Sequence, residues 1–503
     1  SSNSNLSSYS PTSASDVTVS AGELTVDDNF SVKSMTVAPG AKLTLVSGKT
    51  LSVVGALTLQ SNASATATLV DGGTISAGSS NVEQYLTSGR NWYVSSPVSG
   101  AKSDVLAASE LHPAYSYDEV NGTLAPWPAI TNTTTDLSVM KGYVVSPAST
   151  GVITFSGSLN TGAKSIDVSR TVGQLKAGFN LIGNPYPSYL DWDNATKTNL
   201  LTSIWYRTKT SGNEYTFDTY NSTGKVATSN GVKAVTNLIP PMQAFWVRVD
   251  KSLDAVSGTF AVNNSMRSHA DNGSNGFKSK SSTATQPVLR LEVSNGKSSD
   301  QALVYFNASA SNGIDSYDSP KLSNESASIP EIYTLAGSEQ LVINGMKDMN
   351  QFTLGFTTRM ADNFSIKASQ FTNFEGGTQI ILRDNLLSYE QDLTIADYNF
   401  YSDVTVNNET RFTVSFKAPS IATGINPETN NNVWITTRNG QLVVNGTKNN
   451  KTMLEVFNAV GQKVISRNLT DSTIELESKL VSGAYLVRIT FEGKSVTKKV
   501  IID

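Results

Sequence analysis

The chain has 503 residues, of which 16% are charged, with a formal net charge of −4 and no cysteine. The acidic balance and the lack of a cluster of basic and aromatic residues exclude nonspecific nucleic-acid binding, and the lack of cysteine excludes disulfides, thiolate metal ligands and thiol nucleophiles. No apolar run reaches the ~18 residues of a membrane-spanning helix. Short apolar runs between Ser, Thr, Asn and Gly predict an all-β protein of several domains.

The N-terminal part begins with a Ser-rich lead over residues 1–15, which has no apolar core of a signal peptide. We interpret the chain as a mature protein or the C-terminal piece of a longer one. Residues 16–80 then alternate apolar and small residues in short, evenly spaced runs such as Lys42–Leu45 and Leu51–Val53. This near-regular repetition predicts a β-solenoid or a β-meander, in which each rung is buried by its neighbours.

The middle of the chain predicts two further β domains of the sandwich or jelly-roll type. Residues 81–265 contain five of the six Trp residues, and their strand-like runs end in Pro-rich turns. A polar segment without aromatic clusters predicts a linker over residues 266–285. Eight runs with period-2 alternation predict the second sandwich over residues 286–420, and a Gly, Pro and Asn-rich break predicts another linker over residues 421–432.

Residues 433–503 predict seven short strands separated by Gly and Asn turns, which is typical of an immunoglobulin-like sandwich. The strings Val456–Val464, Ile474–Leu476, Leu480–Arg488 and Lys498–Ile501 occur in order along this tail. Through these strings the tail resembles the type A-like C-terminal sorting domain that type IX secretion substrates of Bacteroidetes carry. Segments of residues 81–265 also look like segments common in the passengers of such substrates.

The resemblance implies a fate for the protein rather than an activity. It implies transit of the periplasm, recognition of residues 433–503 by the type IX translocon of the outer membrane, transfer to a shuttle barrel and processing by a sortase, which leaves the passenger extracellular or on the surface of a Gram-negative cell. The residues that carry the resemblance, and that we expect to form the sorting signal, are Asn458, Gly461, Gln462, Leu480, Gly483, Tyr485, Lys498 and Lys499.

The charge of the tail allows two interpretations. Residues 433–503 have a net charge of +4 and residues 1–432 a net charge of −8. A basic tail can be steered towards an acidic receptor. Alternatively, Lys498 and Lys499 protect an exposed edge strand from aggregation.

Candidate catalytic and metal-binding residues are few. His112 and His269 lie in no nucleophile motif and at no ligand spacing, so a catalytic triad and a zinc site are not expected. The pairs Asp191/Asp193 and Asp315/Asp318 are the best candidates for a glycosidase dyad or a calcium site. An Asp beside Gly, Asn or Pro also caps backbone N–H groups, so turn capping is the competing interpretation for both pairs.

Aromatic residues in Pro-rich loops suggest a binding function. Trp127, Tyr189 and Trp192 would stack on the apolar faces of sugar rings if they are exposed, and would fill the core if they are not. We therefore expect a non-enzymatic passenger without a cofactor, acting in adhesion or in contact with a glycan or matrix. The alternative is that the chain forms accessory modules of a larger secreted protease or glycanase whose catalytic domain lies outside it.

Overall fold

The computed structural model describes residues 3–502, apart from residues 107–112, 122–124, 175, 233, 270–285, 419–433, 439–440, 446–451, 470–472, 477–479 and 492–493. The chain forms two compact units, residues 1–420 and residues 421–503. Both are all-β, as predicted, with only four short 3-10 helices among the described residues. None of the helices found in the described ranges has the length and apolar character needed to cross a bilayer.

The first unit starts with a parallel β-solenoid, which the even spacing of its apolar runs predicts. Its strands are β1 (Ser4–Asn5), β2 (Asp16–Val19), β3 (Glu23–Val26), β4 (Phe30–Val32), β5 (Ser34–Val37), β6 (Lys42–Leu45), β7 (Thr50–Leu59), β8 (Thr68–Asp71) and β9 (Thr74–Leu86), and a 3-10 helix spans Leu6–Tyr9. One face is the parallel sheet β1-β3-β6-β8, and parallel pairing of β2, β5, β7 and β9 forms the other.

Stacked side chains hold the solenoid rungs together. Leu24, Leu43 and Leu69 occupy equivalent positions on three successive rungs of one sheet, and Met35 and Leu57 do so on the other. All five side chains are buried. Because a parallel rung cannot bury its apolar side alone, each rung is stabilised by the next one in the stack.

The strands of the next segment are β10 (Trp92–Val94), β11 (Val98–Ser99), β12 (Ala114–Ser116), β13 (Ala129–Ile130), β14 (Tyr143–Val145), β15 (Gly151–Leu159), β16 (Lys164–Ser169), β17 (Phe179–Gly183), β18 (Tyr189–Asp191), β19 (Thr196–Thr198), β20 (Ser203–Lys209), β21 (Tyr215–Asn221), β22 (Val226–Thr228), β23 (Leu238–Ile239), β24 (Ala244–Arg248), β25 (Ser257–Val262) and β26 (Arg267–Ser268). Three 3-10 helices span Ser103–Leu106, Lys251–Leu253 and Asn264–Met266.

The centre of this segment is the five-stranded sheet β17-β24-β20-β21-β22. Smaller sheets surround it, with the orders β16-β25-β19, β23-β18-β26 and β10-β14-β12-β13. Strands β15 and β11 instead continue the second face of the solenoid by antiparallel pairing with β9 and with each other. The solenoid and the segment that contains β10 to β26, called the Trp-rich segment below, therefore share a sheet.

The third segment contains β27 (Val288–Ser294), β28 (Ser299–Phe306), β29 (Ser319–Pro320), β30 (Glu331–Ala336), β31 (Glu339–Met346), β32 (Phe352–Thr358), β33 (Asp362–Thr372), β34 (Gln379–Asp384), β35 (Tyr389–Asp392), β36 (Tyr398–Ser402) and β37 (Thr405–Lys417). They form one continuous sheet, in the order β35-β34-β37-β32-β30-β31-β28-β27-β33-β36, with β29 paired to β31.

This sheet curls until its two edge strands approach each other. The Tyr398 hydroxyl on β36 donates a 2.9 Å hydrogen bond to Asp384 at the end of β34, and the Tyr398 ring stacks on Tyr389 of β35. Register shifts in β27 and β32 accompany the curvature, as expected of β-bulges. Where the sequence predicts a sandwich, the two layers thus belong to one nearly closed sheet.

The described residues of the second unit form seven strands, β38 (Trp434–Arg438), β39 (Gln441–Asn445), β40 (Thr452–Asn458), β41 (Lys463–Leu469), β42 (Thr473–Leu476), β43 (Gly483–Phe491) and β44 (Lys494–Ile502). They form the sheets β38-β39-β42 and β41-β40-β43-β44. Leu454, Val456, Val487 and Ile489 lie in its core. The number of strands and their division between two sheets agree with the immunoglobulin-like arrangement expected from the sequence.

The last rung of the solenoid is covered by residues from the Trp-rich segment. Arg267 donates a 2.7 Å hydrogen bond to the Leu69 carbonyl and forms an ion pair with Asp71, and both side chains are buried. His269 lies beside them, with its Nε2 2.9 Å from the Thr44 hydroxyl and its Nδ1 2.6 Å from the Thr68 hydroxyl. Residues 266–269, expected at the start of a linker, thus belong to the folded unit; residues 270–285 and the second predicted linker, 421–432, lie outside the described residues.

The position of His269 predicts a loss of stability in acid. Burial, with Lys42 and Arg267 nearby, lowers the pKa of His269 from 6.5 to about 4. The unfolded chain therefore takes up this proton at a higher pH than the folded chain, so stability present above about pH 6.5 is lost as the pH falls towards 4. Between about pH 7 and pH 4.5, wild type should lose roughly 2–3 kcal/mol more unfolding free energy than His269→Gln. Urea denaturation of both proteins checks this, and parallel pH profiles would contradict it.

Candidate functional site

A cavity of about 490 Å³ opens over one face of the five-stranded sheet. Alternation along β24 sends Phe245 and Val247 into the core on one side of the sheet and Trp246 to the other side. On that second side, Trp246 pairs across the strands with Leu181 and with Trp205. The floor of the cavity is therefore built by regular β structure, and its upper walls come from the small sheet β10-β14-β12-β13 and from loops.

Seven aromatic residues line the cavity, and four of them pack into one group. The Tyr117 ring lies 4.7 Å from Trp246 and 5.1 Å from Trp127, and Trp127 lies 5.8 Å from Trp246, all edge-to-face. The Tyr93 ring completes the group, 6.4 Å from Trp127. Edge-to-face packing holds the rings rigidly at little entropic cost, and it leaves part of the Trp127 indole, 36% of the residue, exposed to solvent.

A buried guanidinium supplies the polar side of the cavity. Arg207 donates hydrogen bonds of 2.8 and 2.6 Å to the two carboxylate oxygens of Glu325, and its side chain is only 7% exposed. It also stacks on the Tyr215 ring, 3.4 Å from the ring centre. Burial opposes the charge, but the Glu325 hydrogen bonds and attraction to Tyr93 and Glu325 keep the pKa of Arg207 above its ordinary value. Its Nη1 is buried and has no hydrogen-bond partner.

The loop that carries Tyr117 is fixed by a carboxylate two residues later. Glu119 is buried and accepts 2.8 Å hydrogen bonds from the backbone N–H groups of Thr171 and Gly178. It also accepts hydrogen bonds from the hydroxyls of Thr171 and Ser169. Four donors on one carboxylate tie the loop to the ends of β16 and β17, so the aromatic wall is already in place without a ligand.

The chemistry of this cavity suits a small ligand with apolar faces and oxygen acceptors. Burial raises the pKa of Tyr117 to about 12 and raises that of Tyr93 further, so both hydroxyls stay protonated at neutral pH. The buried Nη1 of Arg207 lacks an acceptor, and a ligand oxygen would satisfy it. The volume of the cavity is that of an ordinary small-molecule site.

The three aromatic residues predicted as a sugar-binding set lie in different environments. Trp127 lines the cavity. Trp192 is fully buried; it donates to the Thr202 carbonyl, stacks on Phe260 and lies under Lys197, so the prediction that it contacts a ligand is corrected. Tyr189 is half-buried on β18 and does not line the cavity. The sequence does not single out Tyr93, Tyr117, Arg207 or Trp246 as site residues. Trp246 and Arg207 lie on strands, and the alternation of side chains along those strands is the signal that could have identified them.

Both carboxylates of the first predicted pair accept hydrogen bonds from the protein, and Asp191 caps a turn. Asp191 accepts hydrogen bonds from the Asp193 N–H and from the side-chain amides of Asn194 and Asn237. Asp193 accepts the Tyr220 hydroxyl at 3.0 Å. Both carboxylates are thus used within the protein.

The second pair is arranged in the same way. Asp315 accepts the backbone N–H groups of Ser311 and Tyr317, and Asp318 accepts those of Asp315 and Gly345. Burial raises the pKa of Asp318 to about 7. Within the described ranges, no group of three or more His, Cys, Asp and Glu residues could hold a metal ion, and calcium at either pair stays a prediction.

The predicted sorting residues fall at two places of the second unit. Asn458 accepts the N–H groups of Val460 and Gln462, which closes the turn between β40 and β41, and Gly461 in this turn has a φ of 81° that favours glycine. Tyr485 is buried and donates to the Val481 carbonyl at 2.8 Å; Gly483 precedes it at the start of β43, and Leu480 packs partly buried against the same core. Lys498 and Lys499 are exposed on the edge strand β44.

Comparisons with known proteins match both units to families. A family model described as Domain of unknown function (DUF8693) matches residues 2–416, and one described as Secretion system C-terminal sorting domain matches residues 425–503. A curated relative, the minor fimbrium subunit Mfa5 of Porphyromonas gingivalis, is 22% identical over 407 residues, which is 73% of this chain and 31% of the relative. The chain thus spans about a third of that relative's length.

A solved structure, HBP35 of Porphyromonas gingivalis, is 17% identical and covers 35% of this chain and 64% of its own, with a TM-score of 0.11. That score is too low to support a structural argument. The sorting-domain match agrees with the resemblance found in the sequence of the tail.

The different environments of two Trp residues predict different costs of substitution. Trp192→Ala removes a fully buried ring and should lower the free energy of unfolding by about 3–5 kcal/mol. Trp127→Ala removes a partly exposed ring at a cavity mouth and should cost about 1 kcal/mol or less. Equilibrium denaturation followed by circular dichroism measures both values, and equal losses would contradict the assigned positions.

Proposed function

The chain belongs over residues 2–416 to the family described as Domain of unknown function (DUF8693), and on that premise we propose that this passenger is a non-enzymatic protein that contacts a glycan. The chain is a type IX secretion substrate, and its sorting tail directs it to the cell surface or the extracellular space. What the passenger binds there is the subject of the proposal. We propose the aromatic cavity as its contact site.

The observation that carries the proposal is the combination of edge-to-face aromatic rings with an arginine that lines the same cavity and whose buried Nη1 is unsatisfied. Trp127 lines the cavity and is partly exposed, so its ring is available to the C–H groups of a sugar. The Nη1 of Arg207 offers a hydrogen bond to a hydroxyl or a carboxylate oxygen. A sugar ring would use both Trp127 and Arg207, because its face is apolar and its edge carries oxygen acceptors.

The wider context supports contact rather than catalysis. The carboxylates of the two candidate dyads accept hydrogen bonds from the protein itself, and the cavity contains Glu325 already paired to Arg207. A relative described as a minor fimbrium subunit is in keeping with adhesion at the cell surface. Interaction of residues 433–503 with the translocon, the shuttle barrel and the sortase remains our proposal for the partners of the tail.

Glycan binding is tested with the full chain on a glycan array, followed by titration calorimetry with the best ligand. Trp127→Ala should lower the affinity about tenfold, equivalent to about 1.4 kcal/mol. Arg207→Lys should also weaken binding, because lysine lacks the planar fork with which Arg207 holds Glu325 at the cavity. Tyr9→Ala removes a more exposed ring on the solenoid, away from the cavity, and should bind as wild type. An empty array, or full affinity in Trp127→Ala, would refute the proposal.

The double variant Lys498→Gln/Lys499→Gln, made in the full chain, distinguishes the two interpretations of the basic edge strand. If the lysines protect the edge of β44, the double variant is exported normally from a Bacteroidetes host but self-associates after purification. We expect this outcome, since an unprotected edge exposes N–H and C=O groups to other strands. Export is measured by immunoblotting of surface and medium fractions, and self-association by light scattering. A monomeric variant that stays in the periplasm would instead assign the lysines to translocon recognition.

A further inference from the structure

A buried lysine and a buried aspartate are in contact in the third segment of the first unit. Asp300 lies on β28, and Lys321 directly follows β29. Their side chains are 0% and 3% exposed, and Lys321 Nζ contacts Asp300 Oδ2. The chain neighbours of Lys321, Pro320 and Leu322, are buried as well.

Protein donors hold both oxygens of the aspartate. The Asn230 side-chain amide donates to Asp300 Oδ1 at 2.8 Å, and the Ile332 backbone N–H donates to Oδ2 at 3.0 Å. These bonds fix the orientation of the carboxyl group, with the amine of Lys321 against it. The Asn230 amide is also the donor that an oxyanion at Oδ1 would need.

Both groups lie out of reach of bulk water. Removing an ammonium and a carboxylate from water is costly, and the attraction between them repays this cost only in part. Transfer of one proton from Lys321 to Asp300 gives an amine and a carboxylic acid, which need much less solvation. An unprotonated amine in contact with a carboxylic acid is the pair of reactants for amide formation.

A second buried carboxyl group, Glu331 at the start of β30, lies close to this pair. Its side chain is 4% exposed, and one of its oxygens accepts hydrogen bonds from the Asn324 N–H and from Arg359. Burial raises the pKa of Glu331, and the charges of Lys321 and Asp300 both act on it. A carboxyl group in this position is able to take a proton from one atom and return it to another.

We propose that Asp300 and Lys321 become covalently joined by an amide bond between Lys321 Nζ and Asp300 Cγ, formed within the folded chain with Glu331 as the proton carrier. The Nζ lone pair attacks Cγ of the protonated carboxyl group. Glu331 accepts a proton from Nζ and delivers it to Oδ2. The Cγ–Oδ2 bond then breaks, water leaves, and Oδ1 remains as the amide carbonyl held by Asn230. The reaction is a condensation without an oxidant or reductant.

Such a bond would connect β28 to the end of β29 inside the curled sheet. In a chain without cysteine it takes the place that a disulfide has in other exported proteins, and it does not depend on the redox state of the surroundings. It also removes a buried ion pair, which is replaced by a neutral amide with hydrogen-bond partners already in place.

The test is the intact mass of the purified full chain in denaturing solvent. We expect a mass lower than that of the sequence by one water molecule. Trypsin should not cleave after the acylated Lys321, so residues 298–347 should appear as one peptide that is one water lighter. Fragmentation after a second protease that cuts between residues 301 and 320 should give a branched peptide joined at Asp300 and Lys321.

Three variants probe the roles of the groups. Lys321→Arg and Glu331→Gln should both have the full sequence mass and a lower melting temperature than wild type. Asp300→Asn should lose ammonia in place of water if the amine attacks the same carbon. The matched control is Lys251→Arg, because Lys251 contacts Glu339 on a partly exposed surface and should keep the mass deficit.

Wild type at the full sequence mass, or with the missing water at a position other than the Asp300–Lys321 linkage, would overturn the proposal. Retention of the linkage in Glu331→Gln at the wild-type rate and extent would overturn the assignment of Glu331 as the proton carrier. These readings concern only mass and connectivity, so they do not depend on the glycan proposal.

Discussion

The covering of the last solenoid rung is the contact on which the arrangement of the first unit depends. A parallel solenoid ends in an unpaired strand edge, which invites other strands. Here the Leu69 N–H donates to the Pro187 carbonyl, and the Leu69 carbonyl accepts from Arg267. The buried pair of Arg267 and Asp71 then fixes the covering residues in one position. Both backbone polar groups of Leu69 on β8 are thereby satisfied without another rung, and the Trp-rich segment obtains a defined place against the solenoid.

The five-stranded sheet of that segment is buried on both faces, and this accounts for its use as a binding scaffold. One face packs around Trp192, Phe245 and Phe260 as an ordinary core. The other packs around Trp205 and Trp246 but is covered by the small sheet β10-β14-β12-β13 and by loops rather than by a sheet of equal size. Incomplete covering leaves the cavity, and Glu119 makes the covering loop rigid. Rigid aromatic walls reduce the entropy that a ligand must otherwise remove on binding.

Much of this architecture is predictable from the sequence, because alternation and spacing are local properties. The repeated apolar runs around Leu43 and Leu57 predict the solenoid, and the seven strands of the tail coincide with the predicted runs. The environment of a side chain is not a local property. Trp127 and Trp192 both lie beside Pro or Asp in turn-like sequences, yet one is exposed and the other buried. Arg207 and Glu325 are 118 residues apart, so their pairing depends on how the sheets pack. The same holds for the approach of Lys321 to Asp300.

The parallel rungs of the solenoid also determine how such a protein can change in length. Each rung adds about 4.8 Å along the stacking direction. A duplication of one complete rung reproduces the stacked Leu and Val positions on both of its sides, so it introduces neither a new kind of interface nor a new edge. The covered end and the aromatic cavity would be left as they are. The distance from the N-terminal rung of the stack to the cavity is therefore adjustable in steps of one rung, independently of what the cavity binds.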